Sequence, residues 1–165
     1  MAGLTHVREV RFFEALRVTG MRYSVGHIGR VVVAKLEDDE DVLTALESLT
    51  EKEKIESALF VVIGNLKKGS LVSGAETEKI PVIPIWQHFT TNHEILGIGT
   101  IFQMEGKPKI HLHATLAHGD ELLGGCLREK SEVFLVAELI VFELLNVSAQ
   151  RAKDEKTSFT LLKVD

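Results

Sequence analysis

From residue 95 to residue 145 the chain reads as four strand-like segments, 95–103, 108–117, 122–128 and 132–145, with Gly106-Lys107 and Gly119-Asp120 as the first two turns. Connections this short read mostly as hairpins, which argues for antiparallel pairing. Upstream, residues 30–36 are rich in valine and read as another strand. The acidic run Glu37-Asp38-Asp39-Glu40-Asp41 follows, and Val42, Leu43, Leu46 and Leu49 then recur at helical spacing. Asp38 or Asp39 suits the cap of a helix over 40–54, with the other acids at its positive end and Lys52 and Lys54 in its last turn. Ser57 to Gly64 is a continuous apolar run, expected as a buried strand. Lys67-Lys68-Gly69-Ser70 reads as a turn or a short exposed strand, and 86–94 as a polar, histidine-bearing connection after Pro81 and Pro84. One helix followed mostly by hairpins predicts an α+β fold, a mainly antiparallel sheet packed with one main helix.

A chain of 165 residues suits one domain. The expected organisation is an N-terminal extension or first strand over 1–27, a domain over 28–147 and a C-terminal tail over 148–165. Val10, Phe12, Phe13 and Leu16 fit either a short helix or a strand. The net charge of -5 argues against broad electrostatic binding to nucleic acid, whose usual footprint is a basic patch. Cys126 is the single cysteine, so no intrachain disulfide forms, as expected in a reducing compartment. No apolar run is long enough to span a membrane, and Arg8, Glu9, Arg11, Glu14 and Arg17 interrupt any signal-peptide core. These features predict a cytoplasmic protein with no membrane partner.

Ile110-His111-Leu112-His113-Ala114-Thr115-Leu116 alternates strictly. Its apolar members share the core side of a strand, and His111, His113 and Thr115 share the other. A turn centred on Gly119-Asp120 makes paired positions sum to 239, which sets His113 opposite Cys126 and His111 opposite Arg128. Opposed residues point to the same side of a sheet, so these four gather on one face; a slip of one residue would turn Cys126 away. Gly124-Gly125 adds little bulk beside them, leaving room for a ligand or a neighbouring chain. Two imidazoles and a thiolate suit zinc or another divalent transition metal, and three protein ligands leave a coordination position open. The same His-x-His spacing also occurs in polar surface pairs.

Glu138 sits inside a run that is apolar on both faces, where a carboxylate needs a partner. It is suited to orient a histidine, or to an interface or edge position with access to water. His118 falls at the turn and is expected exposed; His88 and His93 lie in the preceding connection, as candidates to approach the site or to cap a loop. The chain has no Gly-x-Ser-x-Gly elbow, no phosphate-binding Gly-Lys-Ser/Thr loop and no cysteine pair for a zinc finger.

The segment His111-Leu-His113-Ala-Thr-Leu, then a short acidic turn and Leu123-Gly-Gly-Cys126-Leu, resembles the signature hairpin of the plant- and prokaryote-conserved (PPC) domain family. Asn92-His93-Glu94-Ile95-Leu96 and Gly97-Ile98-Gly99-Thr100 resemble the segment before it, and the likeness covers about residues 28–145. The resemblance implies a compact α+β domain of the prokaryotic stand-alone type that assembles as a homotrimer, with metal near the histidines in some members. It also implies protein contacts linked to gene regulation, and prokaryotic members are often labelled DNA-binding. His111 and His113 carry over to the family's His-x-His positions, and Cys126 to a third histidine. That change keeps a metal-capable donor but alters the ligand set. The AT-hook core, Arg-Gly-Arg flanked by proline, is absent, which argues against direct DNA binding.

Three functions follow as expectations. The first is a trimeric binding module holding a transition metal through His111, His113 and Cys126, with a possible protein partner and with Arg128, Glu138 and His93 as supporting or ligand-binding groups. The alternative is a metal-dependent hydrolase or lyase in which Glu138 or His93 serves as the base. The third is direct binding to DNA.

Overall fold

The computed structural model describes residues 20–128 and 130–164. The helix-or-strand reading of Val10, Phe12, Phe13 and Leu16 lies outside the described residues. In chain order the elements are β1 (His27–Glu37), α1 (Val42–Glu53), β2 (Ser57–Ala75), β3 (Pro84–Phe89), β4 (His93–Met104), β5 (Lys107–His118), β6 (Glu121–Leu127), β7 (Glu132–Leu145), β8 (Ala149–Lys153) and β9 (Thr160–Val164). Seven strands form one sheet in the order β1-β7-β2-β4-β5-β6, with β3 also on β2; β8 and β9 form a separate pair. All pairings are antiparallel, and with one helix among the described residues the class is α+β.

The helix is capped by Asp41 and not by Asp38 or Asp39. Its Oδ1 accepts from the backbone N–H of Thr44 at 2.9 Å, and its Oδ2 accepts from Ser131 N–H at 2.7 Å. No acid lies in the first turn. Asp38 and Asp39 instead pair with Lys67 of β2, and Asp38 also accepts from Leu135 N–H at 3.0 Å. Tertiary ion pairing thus claims the acids that local capping rules assigned to the helix. Lys54 ends the helix as its cap, in the left-handed region at φ 55°.

β2 runs straight through Lys67-Lys68-Gly69-Ser70. Gly64, at φ +133°, sits where the register with β7 shifts; a Cβ there would lie 2.5 Å from the carbonyl oxygen of Val136. From Ser57 to Leu66 the strand pairs with β4, and β7 lies along its other edge. Beyond the shift it pairs with β3 and, at Leu71 and Val72, with β6. The connection over 86–94 therefore contains most of a strand, because the far half of β2 offers it a free edge. The β2–β6 contact bends the sheet back on itself and closes β2, β4, β5 and β6 into a ring.

The inner side of this sheet and α1 enclose one apolar cluster that includes Leu46, Ile55, Phe60, Ile101, Leu112 and Leu139. Gly99 makes space for it: a Cβ there would stand 2.2 Å from the Phe60 ring. Burying such a ring stabilises the fold by roughly 1.5–3 kcal/mol.

The outer side is different. Three rows cross it: Val31-Phe142-Leu59-Thr100-His111, Val33-Ile140-Val61-Ile98-His113, and Lys35-Glu138-Ile63-Leu96-Thr115. No helix among the described residues covers them. Val33 is 74% exposed, Leu96 60% and Ile98 58%, an apolar face far larger than scattered surface residues produce. No helix among the described residues is long and apolar enough to cross a membrane.

Residues 148–165, expected as a tail, contain the β8–β9 hairpin. Its loop is held by Asp154, whose Oδ1 accepts from Thr157 N–H at 2.8 Å and from its hydroxyl at 2.7 Å. The hairpin lies against the outer side of β4.

Candidate metal centre

The β5–β6 register is the one the turn predicts: His113 opposes Cys126, Thr115 opposes Gly124, and every pair sums to 239. Alternation along β5 sends Leu112, Ala114 and Leu116 inward and leaves His111 and His113 exposed on the outer side. Their rings stand 5.0 Å apart between centroids, nearly perpendicular at 81°. His111, His113 and Cys126 each present a donor atom within 4.8 Å of the other two. Donors around a tetrahedral zinc stand about 3.3–3.8 Å apart, so a small rotation of the side chains would bring the trio onto an ion.

Gly125 has a use other than the one its size suggests. A Cβ there would lie 2.3 Å from the carbonyl oxygen of Val72. The missing side chain admits the backbone of β2, and that approach fixes Cys126 beside Val72. Gly124 does open onto space. Cys126 is buried, and burial raises its thiol above the ordinary range against the pull of Arg128 and Arg151. Burial, with the charges of Arg151, His113 and Arg128 adding to it, holds His111 below the usual imidazole range. His111 is therefore neutral near pH 7, as a ligand must be, whereas Cys126 has to release a proton on binding an ion.

The other sequence-predicted residues separate. The β5–β6 ladder stops at His113 and Cys126, so Arg128 is not paired with His111; its N–H turns to the carbonyl of Ser70 at 2.8 Å, while the residue still lines the same cavity. Glu138 shares the outer face but lies three strand steps from β5, about 14 Å at sheet spacing, and is exposed beside Lys35. It does not orient His111 or His113 within this chain. His93 is 1% exposed and points to the inner side. It packs edge-on to Phe89 at 5.0 Å, and its Nδ1 stands 2.8 Å from the carbonyl oxygen of Thr91. It lies five positions along β4 from Ile98, the partner of His113, so it is a core histidine remote from the trio. His118 is exposed, as expected, and His88 lies on β3 stacked over Trp86.

Sequence reasoning missed Arg151. β8 brings it over the outer face, where it is 9% exposed. Its Nη2 donates to Thr100 Oγ1 at 2.9 Å and lies 3.2 Å from Nδ1 of His111. Its guanidinium carbon sits 5.9 Å from the Phe102 ring centre, a cation–π distance. A neutral imidazole has one lone pair. Arg151 takes that of His111, so an ion binding there must displace the arginine. The one local hint lay in Gln150-Arg151-Ala152-Lys153, a short segment with no hydrophobic alternation to mark it as a strand.

A cavity of about 790 Å³ opens in front of the trio, between it and the β8–β9 hairpin. Trp86, Val82, Phe159 and Leu161 supply apolar wall, and Lys109, Arg128 and Arg151 supply positive charge.

The comparisons with known proteins agree with this fold. A metal-containing protein of Archaeoglobus fulgidus superposes with a TM-score of 0.76, at 23% identity, over 87% of this chain and 99% of that one. A plant- and prokaryote-conserved (PPC) protein of Pyrococcus horikoshii gives 0.71 at 27% identity, over 90% and 100%. A candidate DNA-binding protein of Ralstonia eutropha JMP134 gives 0.65 at 27% identity, over 81% and 90%. No curated protein matches the chain. Residues 23–145, from the lead into β1 through the last residue of β7, match the Plants and Prokaryotes Conserved (PCC) domain, and the chain belongs to that family.

Proposed function

We propose that this chain is a homotrimeric cytoplasmic binding module whose β5–β6 hairpin holds zinc or another divalent transition metal through His111, His113 and Cys126. The observation that carries the reading is the convergence of two imidazoles and one thiol within 4.8 Å on one face. The metal content of the Archaeoglobus protein supports it. When bound, such an ion with three protein ligands offers an open position to a ligand or an acidified water. The trio's backbone is held by two strand pairings, β4–β5 and β5–β6, while Arg151 sets the condition for loading by occupying His111.

The apolar outer face supports assembly. Val33, Ile98 and Leu96 form a surface that a trimer would bury, and it runs directly into His113 along one strand row. A link to gene regulation through a protein partner fits the family. Direct DNA binding fits poorly with a net charge of -5. The enzyme reading loses its nominated bases, since Glu138 and His93 both lie away from the trio.

Elemental analysis of untagged protein, with light scattering for mass, tests the proposal. Wild type is expected to carry about one transition ion per chain and to run as a trimer. His113→Ala is expected to lose the ion and keep the fold, because His113 is exposed. No metal in either protein after reconstitution would sink the metal site, and a monomeric mass would sink the assembly.

A further inference from the structure

The cavity in front of the trio is unusual in its charge. Lys109, Arg128 and Arg151 line it together with His111 and His113, and among the described residues no aspartate or glutamate does. Among the described residues, none of these three cations takes part in a salt bridge, although seven such contacts occur elsewhere. Arg151 is the telling member. A guanidinium that is nine-tenths buried ordinarily has a carboxylate beside it, because desolvating an unpaired charge is costly. Arg151 has instead a hydroxyl, an imidazole nitrogen and an aromatic face, and its Nε has no hydrogen-bond partner among the described residues. Three positive groups also oppose a lone divalent cation at the trio, so the site as built favours negative charge. The rest of the wall is apolar and aromatic, with Trp86 and Phe159 at the edges. At about 790 Å³ the cavity is within the size range of small-molecule sites.

We infer that this cavity binds a small organic oxyanion, a carboxylate or phosphate group carried on an apolar or aromatic body. Arg151 and Arg128 recognise the oxyanion, since the planar guanidinium fork matches carboxylate and phosphate oxygens. Trp86 and Phe159 receive the body. The β8–β9 hairpin carries the anchoring arginine, so the ligand also fastens that hairpin to the sheet. The inference rests on reading this face as a binding site, and it does not need the ion: a bound anion would offset the three cations with or without a metal at His111, His113 and Cys126.

Calorimetry with three probes tests it, on chelator-treated and on zinc-loaded full-length protein. The probes are phenyl phosphate, inorganic phosphate and benzyl alcohol. Phenyl phosphate is expected to bind chelator-treated protein at least about tenfold more tightly than either of the others, which each lack one half of the recognised chemistry. Arg151→Met keeps the aliphatic stem and is expected to weaken phenyl phosphate by about tenfold or more, the usual worth of a charge-assisted contact. Arg128→Met changes an exposed side chain, is not expected to disturb folding, and should weaken it by a smaller factor; it keeps the test sound if Arg151→Met fails to fold. Absence of binding by phenyl phosphate in both metal states overturns the inference. So does binding that requires zinc and survives both arginine substitutions, because the anion would then be a ligand of the ion alone. Binding to a protein that elemental analysis shows to be metal-free would uphold the inference while the metal reading failed.

Discussion

Two hairpins meet at the site, and they are built in different ways. The β5–β6 hairpin is embedded: β4 flanks one side, β2 closes the other, and its inward residues Leu112 and Leu116 are 1% and 0% exposed. The β8–β9 hairpin has only its own two strands and a lean against β4. Two-stranded hairpins are marginal alone in water. Its hold on the sheet is concentrated in Arg151, through Thr100, His111 and the Phe102 ring. The rigid hairpin presents donors for a cation, and the loosely held one presents a cation. The pairing places the specific donors on the stiff scaffold and the competing charge on the element that is easier to move.

The largest effect that would break this contrast comes from the rigid side. Gly125→Ala puts a Cβ 2.3 Å from the Val72 carbonyl oxygen, against backbone that has nowhere to go. The expected loss is about 2–3 kcal/mol, the scale of overpacking, visible as a lower midpoint in urea. Metal binding should fall with it, because Cys126 is positioned by the same closure. A stability unchanged by this substitution would mean that β6 is not held by β2.

The next effect is on the two-stranded side and has the opposite sign for metal. Arg151→Met frees the lone pair of His111 and removes a buried charge beside the trio. Zinc affinity should rise by about tenfold, on the scale of one charge-assisted hydrogen bond, measured by competition with a chromophoric chelator. The same substitution is expected to weaken phenyl phosphate. Opposite shifts for cation and anion would sharpen the division of labour between the hairpins, and parallel shifts would abolish it.

The smallest effect is a pH dependence confined to β8–β9. The hydrogen bonds from Thr157 hold the Asp154 carboxyl below the ordinary aspartate range. A carboxylate with a depressed native pKa contributes stability that is complete above its unfolded value and is lost as pH falls through the native one. Acidification through that window should lower the amide protection factors, taken against the intrinsic exchange rate at each pH, in β8 and β9 while β5 and β6 stay protected. Equal loosening of both hairpins would show that they unfold as one unit.

Much of the embedded hairpin was legible in the residues. Alternation from Ile110 to Leu116 and a turn at Gly119-Asp120 are local signals, and they are enough to oppose His113 and Cys126. The span 132–145 likewise matches β7 at both ends. What escaped depended on distant partners. The far half of β2 became strand because β3 and β6 came to it, and β3 formed inside a stretch whose own polarity reads as a connection. Glu138 has apolar neighbours in sequence, yet it faces outward in a row with Lys35. His93 has polar neighbours in sequence, yet alternation on β4 turns it into the core.

The sequence by itself determined the α+β class, the antiparallel hairpins and the shared face of His111, His113 and Cys126, because a two-residue period and a short turn act over a few residues. Only the tertiary structure decided that Asp41 caps the helix, that Gly125 admits β2 and that Arg151 reaches His111. Those outcomes join residues 40 to 90 positions apart. No local pattern encodes such a pairing, since it arises only when the closed sheet sets which groups lose water together and must satisfy one another.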